Sequence, residues 1–328
     1  MLATLLTSMA SLSSSPPSYY RGRLAPSPTG YLHVGHARTF WTAYQRAIDA
    51  GGSLVMRMED LDPDRCRAEY AQAALEDLRW LGIRWQEGPD LGGPFAPYEQ
   101  SRRQAFYLDA GRKLREGGFL FPCRCSRKDL EAALSAPHES VTSGVIDSQR
   151  IGESSNGDQD TLDDEPIYPG TCRPGASNLA QPPDSASREI DEPGNFNWRF
   201  RVPAGVAIEF DDLNLGPQRF VAGVDFGDFV VWRRDGVPSY QLACVADDAA
   251  MRITEVVRGE DLLKSTARQI LLYRALELDP PAWFHCRLVA DRNGRRLAKR
   301  HDALNLRTLR QRGLTPEQIL SGELPSEV

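Results

Sequence analysis

Two stretches of the chain carry residue types at spacings that could do chemistry. The denser is Ala25-Pro-Ser-Pro-Thr-Gly-Tyr-Leu-His-Val-Gly-His-Ala37. Gly30 and Gly35 allow a ligand close to the backbone. His33 and His36 stand where a turn hands over to a helix, and there free N–H groups and the helix dipole favour phosphate. Two surface histidines beside a turn would be the ordinary alternative. The second stretch is Cys123-Arg-Cys125 with Tyr168-x-x-x-Cys172. Three thiolates and a phenolate could close a tetrahedral zinc site, but tyrosine is an unusual ligand and the spacing differs from common zinc ribbons. Buried free cysteines remain open as the other reading.

The elements that must position these groups alternate from Arg21 onward. Residues 21–25 read as a strand that enters the Pro-Ser-Pro-Thr-Gly turn. Ala37, Phe40, Trp41, Tyr44, Ala47 and Ile48 then fall at helical spacing until Gly51-Gly52. Residues 54–58 form a second strand ending in Glu59-Asp60, and Tyr70, Ala74, Leu78 and Leu81 mark the next helix. Strand, helix, strand is a βαβ unit and implies a parallel sheet, whose strand ends are where nucleotides bind. After a helix ending at Gly117-Gly118, residues 135–164 and 175–194 are polar, without periodicity, and read as surface insertions. Phe196, Trp198, Phe200 and Val202 alternate as a half-buried strand. Asp235-Gly236 predicts a hairpin joining residues 229–233 to 237–240. Residues 253–258 predict a strand, and Leu262, Thr266, Ile270, Tyr273 and Leu276 a helix. Asn293-Gly294 marks a tight turn in the basic segment 292–300, and residues 306–320 one helical segment.

Composition bounds the class. Of the 328 residues 41% are hydrophobic and 26% charged, enough for a real core. No apolar run approaches the ~20 residues that span a bilayer. Residues 1–20 hold no Lys or Arg, so they are expected to be a disordered leader on a cytoplasmic protein. A net charge of −6 does not suggest strong non-specific nucleic-acid binding. Six cysteines are too few for a disulfide scaffold, and Cys66, Cys244 and Cys286 are expected to be buried small hydrophobes.

The chain resembles the class I aminoacyl-tRNA synthetases, specifically the glutamyl/glutaminyl group. The family's His-Ile-Gly-His motif appears as His33-Val-Gly-His36, and its Arg-Phe-Ala-Pro-Ser-Pro as Arg23-Leu-Ala-Pro-Ser-Pro28. Its Arg-x-Glu-Asp appears as Arg57-Met-Glu-Asp60 and its Arg-Gly-x-Asp as Arg258-Gly-Glu-Asp261. The Lys-Met-Ser-Lys-Ser loop corresponds to Arg296-Leu-Ala-Lys-Arg300, where Arg296 and Ala298 depart from the pattern and Lys299 keeps the second lysine. The resemblance implies an α/β fold: a Rossmann-like parallel sheet split by an inserted acceptor-binding-like domain with a zinc site. The expected division is residues 21–118 and 196–286 for the nucleotide-binding halves with remaining insert strands, 119–195 for the inserted zinc region, and 287–328 for the lysine loop and tail.

The resemblance also implies the site. Glutamate would be held by Arg23, Leu24, Ala25, Pro26, Ser27, Glu59, Tyr240 and Arg258. Planar, permanently charged Arg23 and Arg258 suit carboxylates better than lysine would. Glu59 suits the ammonium, and Tyr240 offers a hydroxyl and a ring wall. ATP with Mg²⁺ would lie on His33, Gly35, His36 and Lys299, the lysine neutralising charge that develops on the triphosphate. A branch of the family, the glutamyl-queuosine tRNA(Asp) synthetases, carries the Cys-x-Cys with a downstream Tyr-x-x-x-Cys, so Cys123, Cys125, Tyr168 and Cys172 are expected to hold one structural zinc ion. That branch lacks an anticodon-reading domain, and this sequence stops at Val328. The expected activity is glutamate activation and transfer to queuosine in the anticodon stem-loop of tRNA(Asp), with a monomer as the working unit. Arg295, Arg296, Arg300, Arg307, Arg310 and Arg312 are candidates for phosphate contact. A truncated glutamyl-tRNA synthetase and a non-catalytic nucleotide-binding relative stay open as alternatives.

Overall fold

The computed structural model describes residues 19–126, 128–129, 166–175, 190, 195–288 and 305–321. Most of the expected leader, the polar stretch 135–164, nearly all of 175–194, and the basic segment 292–300 with Lys299 lie outside the described residues.

β1 (Arg21–Leu24) and β2 (Ser53–Met56) pair in parallel, Arg21 opposite Ser53 and Leu24 opposite Met56. Every residue of β1 is buried, as a parallel strand covered on both faces requires. The crossover helix α1 (Val34–Asp49) buries Val34, Ala37, Phe40, Ala43 and Ala47 along one stripe. Gly51, at φ +60°, turns the chain back into β2. Ala74, Leu75 and Leu78 of α2 (Ala68–Trp80) join the same core.

α3 (Gln104–Glu116) leads into β3 (Leu120–Cys123), the edge of an antiparallel sheet with β4 (Asn197–Phe200) and β7 (Phe229–Trp232). Another sheet has the order β6 (Gly216–Val221), β5 (Ala207–Asp212), β9 (Ala282–Cys286), β8 (Glu255–Gly259). In it β8, β9 and β5 run parallel, and β5–β6 is an antiparallel hairpin. β1 runs beside β8: the Thr254 N–H donates to the Arg21 carbonyl at 2.8 Å, and Arg23 Nη1–H to the Val257 carbonyl at 2.8 Å. The C-terminal ends of β2, β1 and β8 therefore share one edge. That is where open parallel sheets take their ligands.

Two expectations need correction. Residues 237–240 are not a strand. The Gly236 turn forms, with φ +82°, but the return is one isolated bridge, Trp232 to Pro238. Ser239 then caps a helix, α4 (Tyr240–Ala250), its hydroxyl accepting the Leu242 N–H at 3.4 Å. The N-cap serine ahead of an apolar helical stripe outweighs the hairpin signal. The tail is two helices rather than one. α6 (Leu306–Gln311) and α7 (Pro316–Ser321) are separated by Gly313, whose φ of +85° ends the first. Leu306, Leu309 and Ile319 pack into the core of α1 and α2. The helix expected around Ile270 is α5 (Leu263–Ala275), as the spacing predicts.

Candidate active site

Beyond the strand ends the backbone of residues 24–28 runs alongside that of 57–59. The Arg57 N–H donates to the Leu24 carbonyl at 2.8 Å and the Glu59 N–H to the Pro26 carbonyl at 3.0 Å. Ala25, Pro26 and Ser27 thus line the edge beside Glu59. His33 is the N-cap of α1. Its Nδ1 accepts the Gly35 N–H at 3.1 Å, while His36 Nδ1 accepts the His33 N–H at 3.3 Å, a reciprocal capping box built from two histidines. The rings stack with centroids 3.7 Å apart. Because both Nδ1 atoms accept, a neutral ring carries its proton on Nε2, so each presents a donor suited to phosphate. A Cβ on Gly35 would lie 2.9 Å from His33 Cε1, so glycine is needed there for the close approach of the ring. Gly30 has open space around it.

Residues 289–304, which include Lys299, lie outside the described residues, but their flanks do not. Leu288 N–H donates to Glu260 Oε1 at 2.8 Å, just past the end of β8. Asn305 bridges His33, and the Leu306 N–H donates to the Leu32 carbonyl at 2.8 Å. Leu288 and Asn305, which flank residues 289–304, therefore lie at the same edge as the histidine loop.

Of the expected amino-acid-binding side chains, Tyr240 belongs to α4, and Arg23 and Glu59 approach Asp248 and Cys244 of that helix. Tyr240 opens that helix, with Cys244 one turn on and Asp248 two turns on. Arg57, fully buried, donates to Asp248 Oδ1 at 2.6 Å and to Glu59 Oε1 at 2.9 Å. Asp247 accepts from Arg103 Nε, Gln100 Nε2 and Tyr107 OH at 2.6–2.9 Å. Two arginines are held differently. Arg23 donates to a carbonyl and stands 3.8 Å from Asp248, and Arg258 donates to Thr266 Oγ1 at 2.5 Å and His285 Nε2 at 3.2 Å. Burial pushes the Tyr240 phenol well above its usual range, with Cys244 and Glu59 adding to the rise and Arg258 and Arg23 opposing it. It therefore stays a neutral donor among these charges.

The sulfur atoms of Cys123, Cys125 and Cys172 lie within 4.8 Å of one another, and Cys125 and Cys172 are 3.7 Å apart. Tetrahedral zinc with ~2.3 Å bonds to sulfur sets S···S edges of about 3.8 Å. The Tyr168 hydroxyl is 3.4 Å from Cys123 Sγ and 3.9 Å from Cys125 Sγ, and it accepts the Cys172 N–H at 2.6 Å. Burial and neighbouring Cys123 push the Cys125 thiol up to about 12, whereas burial at Cys172 is outweighed by hydrogen bonds from the Arg124 backbone and Tyr168, which lower that thiol. A bound metal inverts the balance at Cys125. The three cysteines form a cluster that can hold a metal ion.

The family description "tRNA synthetases class I (E and Q), catalytic domain" matches residues 20–156 and 168–323. The chain belongs to this family. It is an enzyme of the aminoacyl-tRNA ligase type, with the α/β fold of the glutamyl members. A glutamyl-Q tRNA(Asp) synthetase of Symbiobacterium thermophilum is 47% identical over 91% of this chain and 84% of that protein. One of Nitratidesulfovibrio vulgaris is 44% identical over 94% and 88%. Glutamate–tRNA ligase 2 of Nitrosococcus oceani is 38% identical over 90% of this chain, which spans 57% of that ligase. The crystal structure of glutamate-tRNA synthetase from Elizabethkingia anophelis superposes with a TM-score of 0.69 at 27% identity, over 90% of this chain and 54% of that one. No helix among the described residues is long and apolar enough to cross a membrane.

Against this synthetase frame, several residues escape sequence reasoning. Asp247 and Asp248 become legible only once residues 240–250 are read as a helix, where Tyr240, Cys244 and Asp248 repeat at i, i+4 and i+8. His285, Asp212 and Thr266 have no local signal. Cys244 is buried as expected and also donates toward Glu59 at 3.5 Å, whereas Cys66 and Cys286 are only half-buried. Arg307, a candidate for phosphate contact, is engaged instead by Glu76, and its Nε lies 3.6 Å from buried Asp77. A surface arginine beside an unpartnered buried carboxylate is drawn inward.

Proposed function

We propose that this protein activates L-glutamate with ATP and transfers it to the queuosine base at the wobble position of tRNA(Asp). One observation carries the amino-acid half. The charge of Arg57 is neutralised by Asp248 and Glu59, whereas Arg258 is held by the neutral groups of Thr266 and His285. Its charge is therefore available to a substrate carboxylate, and Arg23, held mainly by a carbonyl, stands ready for the second. Glu59 and Tyr240 supply the acceptor and the hydroxyl for the ammonium end.

In the first step an α-carboxylate oxygen of glutamate attacks the α-phosphorus of ATP. The bond to the leaving phosphate breaks, giving glutamyl-adenylate and pyrophosphate. The Nε2–H groups of His33 and His36, the N-terminus of α1 and Lys299 meet the charge that builds on the phosphates. Mg²⁺, which class I synthetases use with ATP, supplies further charge neutralisation on the triphosphate. In the second step a hydroxyl of the modified base attacks the glutamyl carbonyl, AMP leaves, and the hydroxyl proton is lost. Catalysis rests on positioning and charge stabilisation, with no covalent enzyme intermediate. Cys123, Cys125, Tyr168 and Cys172 would hold one zinc ion that braces β3 against residues 166–175, and the ion has no part in either step. The transfer half is supported by the two glutamyl-Q tRNA(Asp) synthetase relatives, which are more similar to the chain than the glutamate–tRNA ligase is. The reading places the protein in the cytoplasm and working as a monomer.

The test of the activation half is ATP–pyrophosphate exchange with each amino acid, without RNA. Glutamate should support exchange and glutamine far less, because a lost bidentate contact leaves an arginine unpaired. Arg258→Ala should lose most of that exchange. A variant as fast as the parent overturns the pocket assignment.

A further inference from the structure

Arg258 lies at the end of a buried chain of side chains that the proposed reaction does not itself use. Asp212, the last residue of β5, and His285, on β9, have fully buried side chains. Asp212 Oδ2 lies 2.6 Å from His285 Nδ1. The same carboxylate is fixed by backbone donors: its Oδ1 accepts the N–H groups of Asn214 at 3.0 Å and Leu215 at 2.8 Å, and Oδ2 that of His285 at 3.1 Å. A carboxylate cannot donate, so the proton of this short contact sits on Nδ1 and the ring leaves Nε2 bare. Nε2 then accepts from Arg258 Nε–H at 3.2 Å and lies 3.0 Å from Thr266 Oγ1, while Arg258 Nη2–H goes to the same Thr266 oxygen. One edge of the guanidinium is thereby held by two neutral acceptors. Among the described residues Nη1 has no partner.

We infer that Asp212 and His285 are positioning residues for amino-acid recognition: they set the plane of the Arg258 guanidinium through neutral contacts and keep its charge free for a substrate carboxylate. The inference rests on the glutamate reading above. Its physical content is the interposed ring. A carboxylate in direct contact with Arg258 would hold it as firmly but would neutralise it, as Asp248 and Glu59 do to Arg57. With His285 between them the anion fixes the tautomer at one remove. Burial, with Arg258 adding, lowers the imidazole to about 4, so the ring is neutral at pH 7 and does not repel the guanidinium.

Asp212→Asn separates this from a merely structural role. The amide oxygen can still accept from Asn214 and Leu215, but its NH₂ faces both His285 Nδ1 and the His285 backbone N–H, which loses its acceptor. The ring must then take the other tautomer, whose Nε2–H meets Arg258 Nε–H donor to donor and competes with Arg258 Nη2–H for Thr266 Oγ1. The KM for glutamate in exchange should rise roughly tenfold to a hundredfold, with the KM for ATP unchanged. His285→Gln offers an amide oxygen to Arg258 without needing Asp212, and should raise the glutamate KM less. In that background Asp212→Asn should add less than about twofold. A silent Asp212→Asn, equal effects on both substrates, or full additivity of the two changes would overturn the inference while glutamate exchange by the parent stands. Should the variants not fold, ¹⁵N NMR of the parent's imidazoles decides, with His285 expected protonated on Nδ1 and bare on Nε2 at pH 7. The opposite tautomer or an imidazolium overturns it. Absence of glutamate exchange by the parent would instead overturn the underlying reading.

Discussion

Removing Asp248 should damage both stability and glutamate binding, in a proportion that the buried charge network sets. Arg57 has no exposed surface and gives its best hydrogen bond, 2.6 Å, to Asp248 Oδ1. In Asp248→Ala that guanidinium keeps Glu59 at 2.9 Å and a carboxylate of Asp247 at 3.8 Å. Asp247 cannot compensate, because its oxygens already serve Arg103, Gln100 and Tyr107. A hydrogen bond to a charged group is worth roughly 1.5–3 kcal/mol, and the desolvated cation left behind adds to the loss. Breaking a buried pair by removing one partner costs about 3–5 kcal/mol, the loss expected in urea unfolding. The same change should raise the glutamate KM, because Arg57 draws Glu59 further into its own pairing and away from the substrate ammonium. Replacing Arg57 and Asp248 together with apolar residues should destabilise less than the sum of the single changes. A loss under about 1 kcal/mol for Asp248→Ala would show that Arg57 is solvated, and the account of the network would be wrong.

Purified protein should carry about one zinc ion per chain, and Cys172→Ser should lose it and lower the melting temperature. A metal-free preparation of equal stability would contradict the cluster's assignment. The pH dependence of stability should carry the mark of His285, whose pKa falls from 6.5 unfolded to about 4 folded. The unfolded chain takes up this proton first, so the contribution is complete above pH 6.5, shrinks as pH falls toward 4, and is constant below. It amounts to roughly 3 kcal/mol. Urea unfolding of parent and His285→Gln at pH 7.5 and 4.5 measures it, and an identical pH slope in the two would refute the buried neutral ring.

What the sequence made legible was local. The turn before α1, the stripe from Val34 to Ala47 and the parallel strands are written in spacing and turn residues, and the histidine loop sits where those rules place it. No strong turn dipeptide marks the β5–β6 hairpin, and β9, which pairs in parallel with β5 and β8, has no hairpin turn to mark it. Asp235-Gly236 reads as a hairpin turn and so masks the Ser239 cap, which puts Tyr240 on a helix rather than a strand. His285 and Asp212 lie 73 residues apart. Their meeting is a property of the parallel register of β5, β9 and β8, which no local pattern encodes. The cysteine cluster is half-legible: the motif names Cys123, Cys125, Tyr168 and Cys172, and the fold brings the three sulfur atoms within 4.8 Å of one another with the Tyr168 hydroxyl beside them.

The central claim is tested most directly by charging two forms of tRNA(Asp), with and without queuosine, with labelled glutamate and mapping the label after nuclease digestion. The account predicts label only on the queuosine-containing tRNA, and within the anticodon fragment. Label on the 3′-terminal adenosine, or equal charging of both forms, would contradict it.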